Sequence, residues 1–248
     1  MPPLRSMSDM SEPGLSETRV VPIDRLELAF ETYFWPFADE RRAHIDAHWQ
    51  KLVREKPTMW NGQVLMMHRW AVEGRVFRGA HFACDFASFL AWRDWDYPDD
   101  QVRNGFGAAA IRCSDGGFLL GVMGKHTASA GVIYFPCGMV DSTDVKGGSV
   151  DLHGNVWREI GEEIGLGRAD LTEEPGWHTV FIGPRIAHIK VMHARESAEL
   201  LRERILAFMA KDKEPELADI VIARKPADCS DRVAPFVMAF LHSAWSNS

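Results

Sequence analysis

The sequence predicts an α/β (α+β) fold with a mixed sheet, preceded by an N-terminal α/β extension, and three observations carry that expectation. From Asn104 onward, short apolar strand runs alternate with helical stretches. One helical stretch, 151–164, stands in the middle of those strands, with Asp151 as its N-cap and Gly165 as the C′ residue that stops it. Before Asn104 the chain carries its own succession of strand, helix, hairpin and helix.

In order, 25–31 alternates polar and apolar residues, the period of a half-buried strand. Ile45, Trp49, Leu52 and Val53 stand at core spacing in a helix over 38–54, and Pro57 follows its end. Strands over 63–72 and 75–84 join at Glu73-Gly74, a short helix covers 86–95, and Tyr97-Pro98-Asp99-Asp100 turns the chain. Ser114-Asp115-Gly116-Gly117 joins strands 106–113 and 118–123 into a hairpin, and 132–135 is a further strand ending at Pro136. Asp144, Gly147 and Gly148 read as loop. Beyond the 151–164 helix come strand material over 178–192 broken at Gly183-Pro184, an amphipathic helix over 197–209, a strand over 217–223 and a closing helix over 234–245.

The 248 residues suit one domain of about 150 residues plus an addition. The organisation expected is a disordered lead at 1–18, rich in Ser, Pro and Glu, then an extension at 19–103 and the motif-bearing domain at 104–248. A net charge of -7 argues against nucleic acid as a partner, which would call for clustered Lys and Arg. Cys84, Cys113, Cys137 and Cys229 form no CxxC pair, so neither a zinc site nor a disulfide framework is expected. No run reaches the length of a membrane span. A cytoplasmic chain, monomeric or homodimeric, is the expectation.

The most informative stretch is Arg158-Glu159-Ile160-Gly161-Glu162-Glu163-Ile164-Gly165-Leu166. Glu159, Glu162 and Glu163 stand at i, i+3 and i+4, so one helix face can present three carboxylates. Like charges that close repel, and a hard cation such as Mg²⁺, with Mn²⁺ as an alternative, is the natural neutralising partner. The competing reading is an ordinary solvated helix face. Against it stands Gly161, which costs about 1 kcal/mol relative to Ala inside a helix.

The segment resembles the second half of the Nudix box, REUxEExGU with U aliphatic, and every specified position agrees. Upstream, Phe135-Pro136-Cys137-Gly138 resembles the usual Pro-Gly-Gly lead-in with Cys137 in place of a glycine, and Gly138-Met139-Val140-Asp141 resembles the start of the box with Asp141 for Glu. Two departures stand out. Gly138 precedes Arg158 by 20 positions where the family has fourteen, which puts an insertion within 141–149. Val150 occupies the place of the box glutamate, for which Asp151 or Asp144 is the candidate replacement.

The resemblance implies an α/β/α sandwich and Mg²⁺-dependent hydrolysis of a nucleoside diphosphate linked to another moiety. It makes Glu159, Glu162 and Glu163 the metal ligands, and Glu162, Glu163 and Arg158 the catalytic set, with Arg158 bracing the loop through an ion pair. Gly138 and Asp141 belong to the substrate side, and a glutamate from a later loop, Glu216 or Glu214, completes the site. Lys125 and His126, in the loop after a strand, are further candidates for phosphate contact. Trp60, Trp70, Trp92 and Trp95 are candidates for stacking on a base, with core packing as the competing role. Trp60-Asn61-Gly62, Gly105-Phe106-Gly107-Ala108 and the long loop after Gly138 are similar to Nudix proteins that cleave UDP-glucose and UDP-galactose to UMP and a sugar 1-phosphate. A nucleotide sugar is therefore the first substrate expected and an ADP-ribose-type molecule the second. A Nudix-fold binding or regulatory module with little turnover is the alternative.

Overall fold

The computed structural model describes residues 18–246, so all of the N-terminal lead except Thr18 lies outside the described residues. The first part of the chain comprises β1 (Arg19–Ile23), β2 (Arg25–Phe30), α1 (Pro36–Glu40), α2 (Arg42–Glu55), β3 (Gln63–Glu73), β4 (Val76–Asp85) and α3 (Phe86–Asp94). There follow β5 (Asn104–Arg112), β6 (Phe118–Met123), β7 (Ile133–Tyr134), β8 (Val145–Lys146), β9 (Ser149–Val150) and α4 (Leu152–Ile164). The chain continues through β10 (Leu171–Glu173), β11 (Trp177–Ile182), β12 (Arg185–Ala194), α5 (Ala198–Met209), β13 (Leu217–Ala223) and α6 (Pro235–Ser246). These are the mixed sheets and helices of an α/β fold.

The larger sheet runs β1-β11-β12-β5-β6-β13, with β10 added beside β12 and β7 beside β6. Among the described residues, β12 and β5 are its one pair of parallel neighbouring strands. Alternation along β5 sends Ala109 and Ile111 to one face, where Val156, Ile160 and Ile164 of α4 and Leu201 and Ile205 of α5 cover them. Phe106, Ala108 and Ala110 point to the other face, which is closed by Phe236, Val237 and Phe240 of α6 together with Leu65, Met67 and Phe77 of the smaller sheet. The larger sheet is thus covered by helices on both faces, as expected of a sandwich.

The smaller sheet runs β3-β4-β2-β9-β8. It is hairpin-built where the sequence predicts a hairpin, with Gly74 in the left-handed region at φ +62°. Four differences from the sequence reading stand out. The helix over 38–54 is broken in two at Arg41, which caps α1 and precedes α2. The strand β1 was not read from the sequence, because Val20-Val21-Pro22-Ile23 does not alternate. It pairs antiparallel with β11, Arg19 opposite Phe181, so residues assigned to the extension lie in the larger sheet. The segment read as loop around Asp144, Gly147 and Gly148 is a small hairpin of β8 and β9 turning on two glycines with positive φ. Through Ala29 opposite Ser149 it joins β2, so the boundary at 103/104 is crossed in both directions.

Candidate active site

The site is built on α4. Asp151 caps its first turn by accepting from the Gly154 amide at 2.8 Å, and Gly165 ends it at φ +66°. Burial along the helix follows Leu152, Asn155, Val156, Glu159, Ile160, Glu163 and Ile164, the i, i+3, i+4 rhythm of a helix lying on a sheet. Asn155, Glu159 and Glu163 therefore form a buried polar line at the edge of the apolar stripe. Glu162 turns out toward solvent, its side chain 61 % exposed.

Glu163 carries the strongest chemical signal. Its residue is 5 % exposed and neither carboxylate oxygen has a hydrogen-bond partner. Burial pushes its carboxyl up to about 9, helped by Glu216 and Glu159 nearby, and a nearby Cys137 amide opposes the shift without completing a bond. Burial likewise pushes Glu159 up to about 7, with Arg158 opposing. An orphaned, buried acid is costly unless a partner arrives. All the donors offered are hard oxygens, which suits a divalent cation such as Mg²⁺. Among the described residues no three His, Cys, Asp or Glu groups stand in a ready-made metal arrangement. Glu159 and Glu162 are instead held by Arg158, whose Nη1 lies 2.7 Å from Glu159 and 3.1 Å from Glu162.

Arg158 also reaches across to the insertion. Its Nη2 is 3.5 Å from Asp144 Oδ2, a buried carboxylate that accepts from Asn155 Nδ2 at 3.0 Å and from the Asp141 amide at 3.1 Å. Of the two candidate replacements for the box glutamate, Asp144 faces Arg158, whereas Asp151 is occupied as the helix cap and as the partner of Lys146. Val150 is buried in the apolar core. The Asp141 side chain caps the turn after it, accepting from the Thr143 amide at 2.7 Å, so that oxygen is engaged within its own loop and not directed to a ligand.

Gly138 lies against Glu159. A Cβ there would sit 2.1 Å from the Glu159 carboxyl carbon, so the bare backbone is what lets the acid occupy its place. Because the obstacle is the end of a side chain and not backbone, Gly138→Ala is expected to fold but to displace Glu159. The expected result is a melting temperature within a few degrees of the parent and activity lowered roughly 10–100-fold, the range of an outer-shell disturbance of a metal site. Assay of the purified variant beside its thermal melt checks both halves. Gly161 behaves otherwise. An added Cβ would meet nothing nearer than 3.9 Å, so the argument that its presence speaks for a functional face finds no steric support.

Glu216 stands at the exposed rim, where partial desolvation and Glu162 raise its pKa and His126 opposes the rise. Its carbonyl accepts from the Gly124 amide at 2.7 Å, which ties the 124–131 loop to it. Lys125 and His126 are exposed in that loop, and Glu214 is exposed.

A cleft of about 670 Å³ opens beside these acids, with Cys137, Gly138 and Glu216 among its lining residues. Trp92 is the one stacking candidate that lines it, and its ring is fully buried. Trp70 packs under Arg103, Trp95 packs on Phe37 and His48, and Trp60 is 81 % exposed. Sequence reasoning missed Tyr134, a cleft residue whose phenol is raised by burial and by neighbouring Cys137, Glu163 and Glu216. It also missed Phe86 and Phe89, whose spacing within a short apolar helix reads as core.

No family model matches the chain, and no curated protein matches it. Among solved structures the chain is similar to a Nudix hydrolase from M. smegmatis at 15% identity, covering 58% of this chain and 84% of that one with a TM-score of 0.35. It is similar to a Nudix hydrolase from Nitrosomonas europaea at 15% identity, covering 58% and 90% with a TM-score of 0.36. It is also similar to a Bacillus subtilis pyrophosphohydrolase at 14% identity, covering 56% and 82% with a TM-score of 0.32. No helix among the described residues is long and apolar enough to cross a membrane.

Proposed function

We propose that this chain is a Nudix-type hydrolase that cleaves the diphosphate of a nucleoside diphosphate joined to another moiety, a nucleotide sugar first and an ADP-ribose-type molecule second. The single observation that carries the reading is Glu163, a buried carboxyl with two unpartnered oxygens beside Glu159, whose neighbours Cys137 and Glu216 line an open cleft. Glu159, Glu162 and Glu163 would hold Mg²⁺ or Mn²⁺. Such an ion, when bound, neutralises diphosphate charge and acidifies an attacking water.

The remaining work falls to the chain itself. Arg158 keeps Glu159 and Glu162 in place and links them to Asp144, so the insertion and the helix are braced as one unit. Gly138 lets Glu159 sit close to the backbone. Glu216, whose raised pKa leaves it nearer to a useful base than an ordinary surface acid, takes the proton of the attacking water at its carboxylate. Lys125, exposed beside Glu216, supplies positive charge toward phosphate oxygens, and His126 next to it offers a ring N–H.

A second reading, a nucleotide-sugar binding module with little turnover, draws on one observation: the position of the box glutamate is Val150, sealed in the core. Incubation with UDP-, ADP- and GDP-sugars, ADP-ribose and dinucleotides, with Mg²⁺ and then with EDTA, separates the two. The expected result is EDTA-sensitive release of a nucleoside monophosphate and a sugar phosphate. Nucleotide sugar bound and returned intact under both conditions would overturn the hydrolase and favour the module.

A further inference from the structure

We infer that Arg185 and Arg232 form a second anion-binding subsite in the cleft, so that the substrate carries a carboxylate or a phosphate besides its diphosphate. The inference deepens the hydrolase reading and rests on it for the place of the diphosphate. Both arginines line the same cleft as Cys137 and Glu216. Its volume of about 670 Å³ lies within the roughly 300–1,000 Å³ typical of small-molecule sites.

The charges in the lining are unevenly matched. The chain holds 35 Asp and Glu against 28 Lys and Arg, so acids are in surplus as partners. Arg93, a third arginine of the lining, has one in Asp94 at 2.9 Å. Arg185 has only a neutral partner, since it donates to the Tyr97 hydroxyl at 2.8 Å and its guanidinium carbon lies 5.8 Å from the centre of that ring. Among the described residues the exposed Arg232 side chain makes no hydrogen bond or ion pair, even with Asp231 beside it. A guanidinium is a planar fork of donors that fits a carboxylate or phosphate edge-on. An uncharged sugar would leave both charges unmatched, whereas a further anionic group answers them.

Both side chains also project from fixed backbone. Arg185 opens β12 as the register partner of Asn104 on β5, so the two side chains share one face of the sheet, and Asn104 lines the cleft as well. Tyr97, which holds Arg185, follows Asp96 in a turn where both residues take left-handed backbone, at φ +58° and +60°. Residues other than glycine rarely adopt it, and such strain persists where the surroundings over-determine it. Here the Tyr97 amide donates to the Trp92 carbonyl at 2.8 Å, and the two rings meet edge-on at 4.8 Å. The strained turn thus fixes the phenol that orients Arg185. Arg232 is fixed separately, its carbonyl accepting from the Ile133 amide at 3.0 Å while the Ala234 amide donates to the Ile133 carbonyl at 2.8 Å. Preorganisation of this kind lowers the ordering cost of binding.

Two matched pairs of probes test this on the full chain. UDP-glucose and UDP-glucuronate differ by one carboxylate, and ADP-ribose and its 2′-phosphate differ by one phosphate. Isothermal titration calorimetry in EDTA reads binding, and KM with Mg²⁺ reads it a second time. In at least one pair the more charged member is expected to bind about tenfold or more tightly than the other, the size of a charge-assisted hydrogen bond, and the preference should shrink as salt is added. The pair that responds tells carboxylate from phosphate. Arg232→Gln, at an exposed position, should abolish the preference and leave binding of the less charged member nearly unchanged, with KM following and kcat changing little. Tyr97→Phe, which removes the hydroxyl that holds Arg185, should weaken the preference in part, and circular dichroism checks that both variants fold. No preference in either pair, absence of binding included, or a preference that survives in folded Arg232→Gln would overturn the inference. Equal weakening of both members by Arg232→Gln would put that arginine on the diphosphate and overturn it too. An Arg232-dependent preference without hydrolysis of any probe would support the subsite while removing the hydrolase reading.

Discussion

Glu163→Gln is expected to lower turnover by more than the roughly 10–100-fold that outer-shell changes at metal sites cost, while leaving the chain folded. The substitution is nearly isosteric, and without a metal Glu163 is held protonated at neutral pH by burial, so Gln replaces a neutral acid with a neutral amide. What is lost is the ability to become a carboxylate when a cation arrives. The stability signature is separate from activity and has a definite sign. Glu163 is raised from 4.5 unfolded to about 9 folded, so between those values the folded chain holds a proton that the unfolded chain has released. Its contribution falls as pH rises, by roughly 1 kcal/mol per pH unit. Urea denaturation in EDTA at pH 6 and pH 8.5 should show the parent losing stability relative to Glu163→Gln. A variant that kept full turnover, or a stability difference independent of pH, would displace Glu163 from the role assigned to it.

On the acid side the largest effect is expected from two histidines between the sheets. His81 on β4 and His188 on β12 are fully buried, and burial pushes them down to about 4 and about 3. The Gly105 backbone opposes the shift at His81 and His68 adds to it, while His81 in turn lowers His188. Thr179 Oγ1 is 2.8 Å from His188 Nδ1, and Phe77 packs edge-on against its ring. Below the ordinary value of 6.5 the unfolded chain takes up protons that the folded chain refuses, so stability is lost as pH falls from 6.5 through about 4. Each imidazole contributes roughly 1 kcal/mol per pH unit. Between 4.5 and 6.5 this slope opposes that of Glu159 and Glu163, which predicts a plateau there in the metal-free chain and a decline on either side. His81→Leu isolates one member. Its stability relative to the parent should improve steadily from pH 7 to pH 4.5, and a constant difference over that range would show that His81 is not held neutral.

What the sequence made legible was mainly local. The hairpins at Gly74 and at Ser114-Asp115-Gly116-Gly117 follow from turn chemistry within four residues, and α4 follows from its cap, its stop and its period. The i, i+3, i+4 spacing named Glu159, Glu162 and Glu163 together, yet spacing cannot tell which edge of a helix face enters the sheet. Glu159 and Glu163, four apart, go inward and Glu162 goes to solvent. Non-local pairing hid the rest. Nothing in residues 19–23 announces a partner at 177–182, and nothing in 86–89 announces that a helix from the extension borders the same cleft as Glu216.

The pairing of β1 with β11 also orders events during synthesis. Arg19 must wait for Phe181, so β1 emerges from the ribosome long before its neighbour has been made. β1 is therefore among the last of the described strands to lock. Until then β11 lacks its outer neighbour and offers an open edge, the moment in the life of this molecule most exposed to mispairing with another nascent copy.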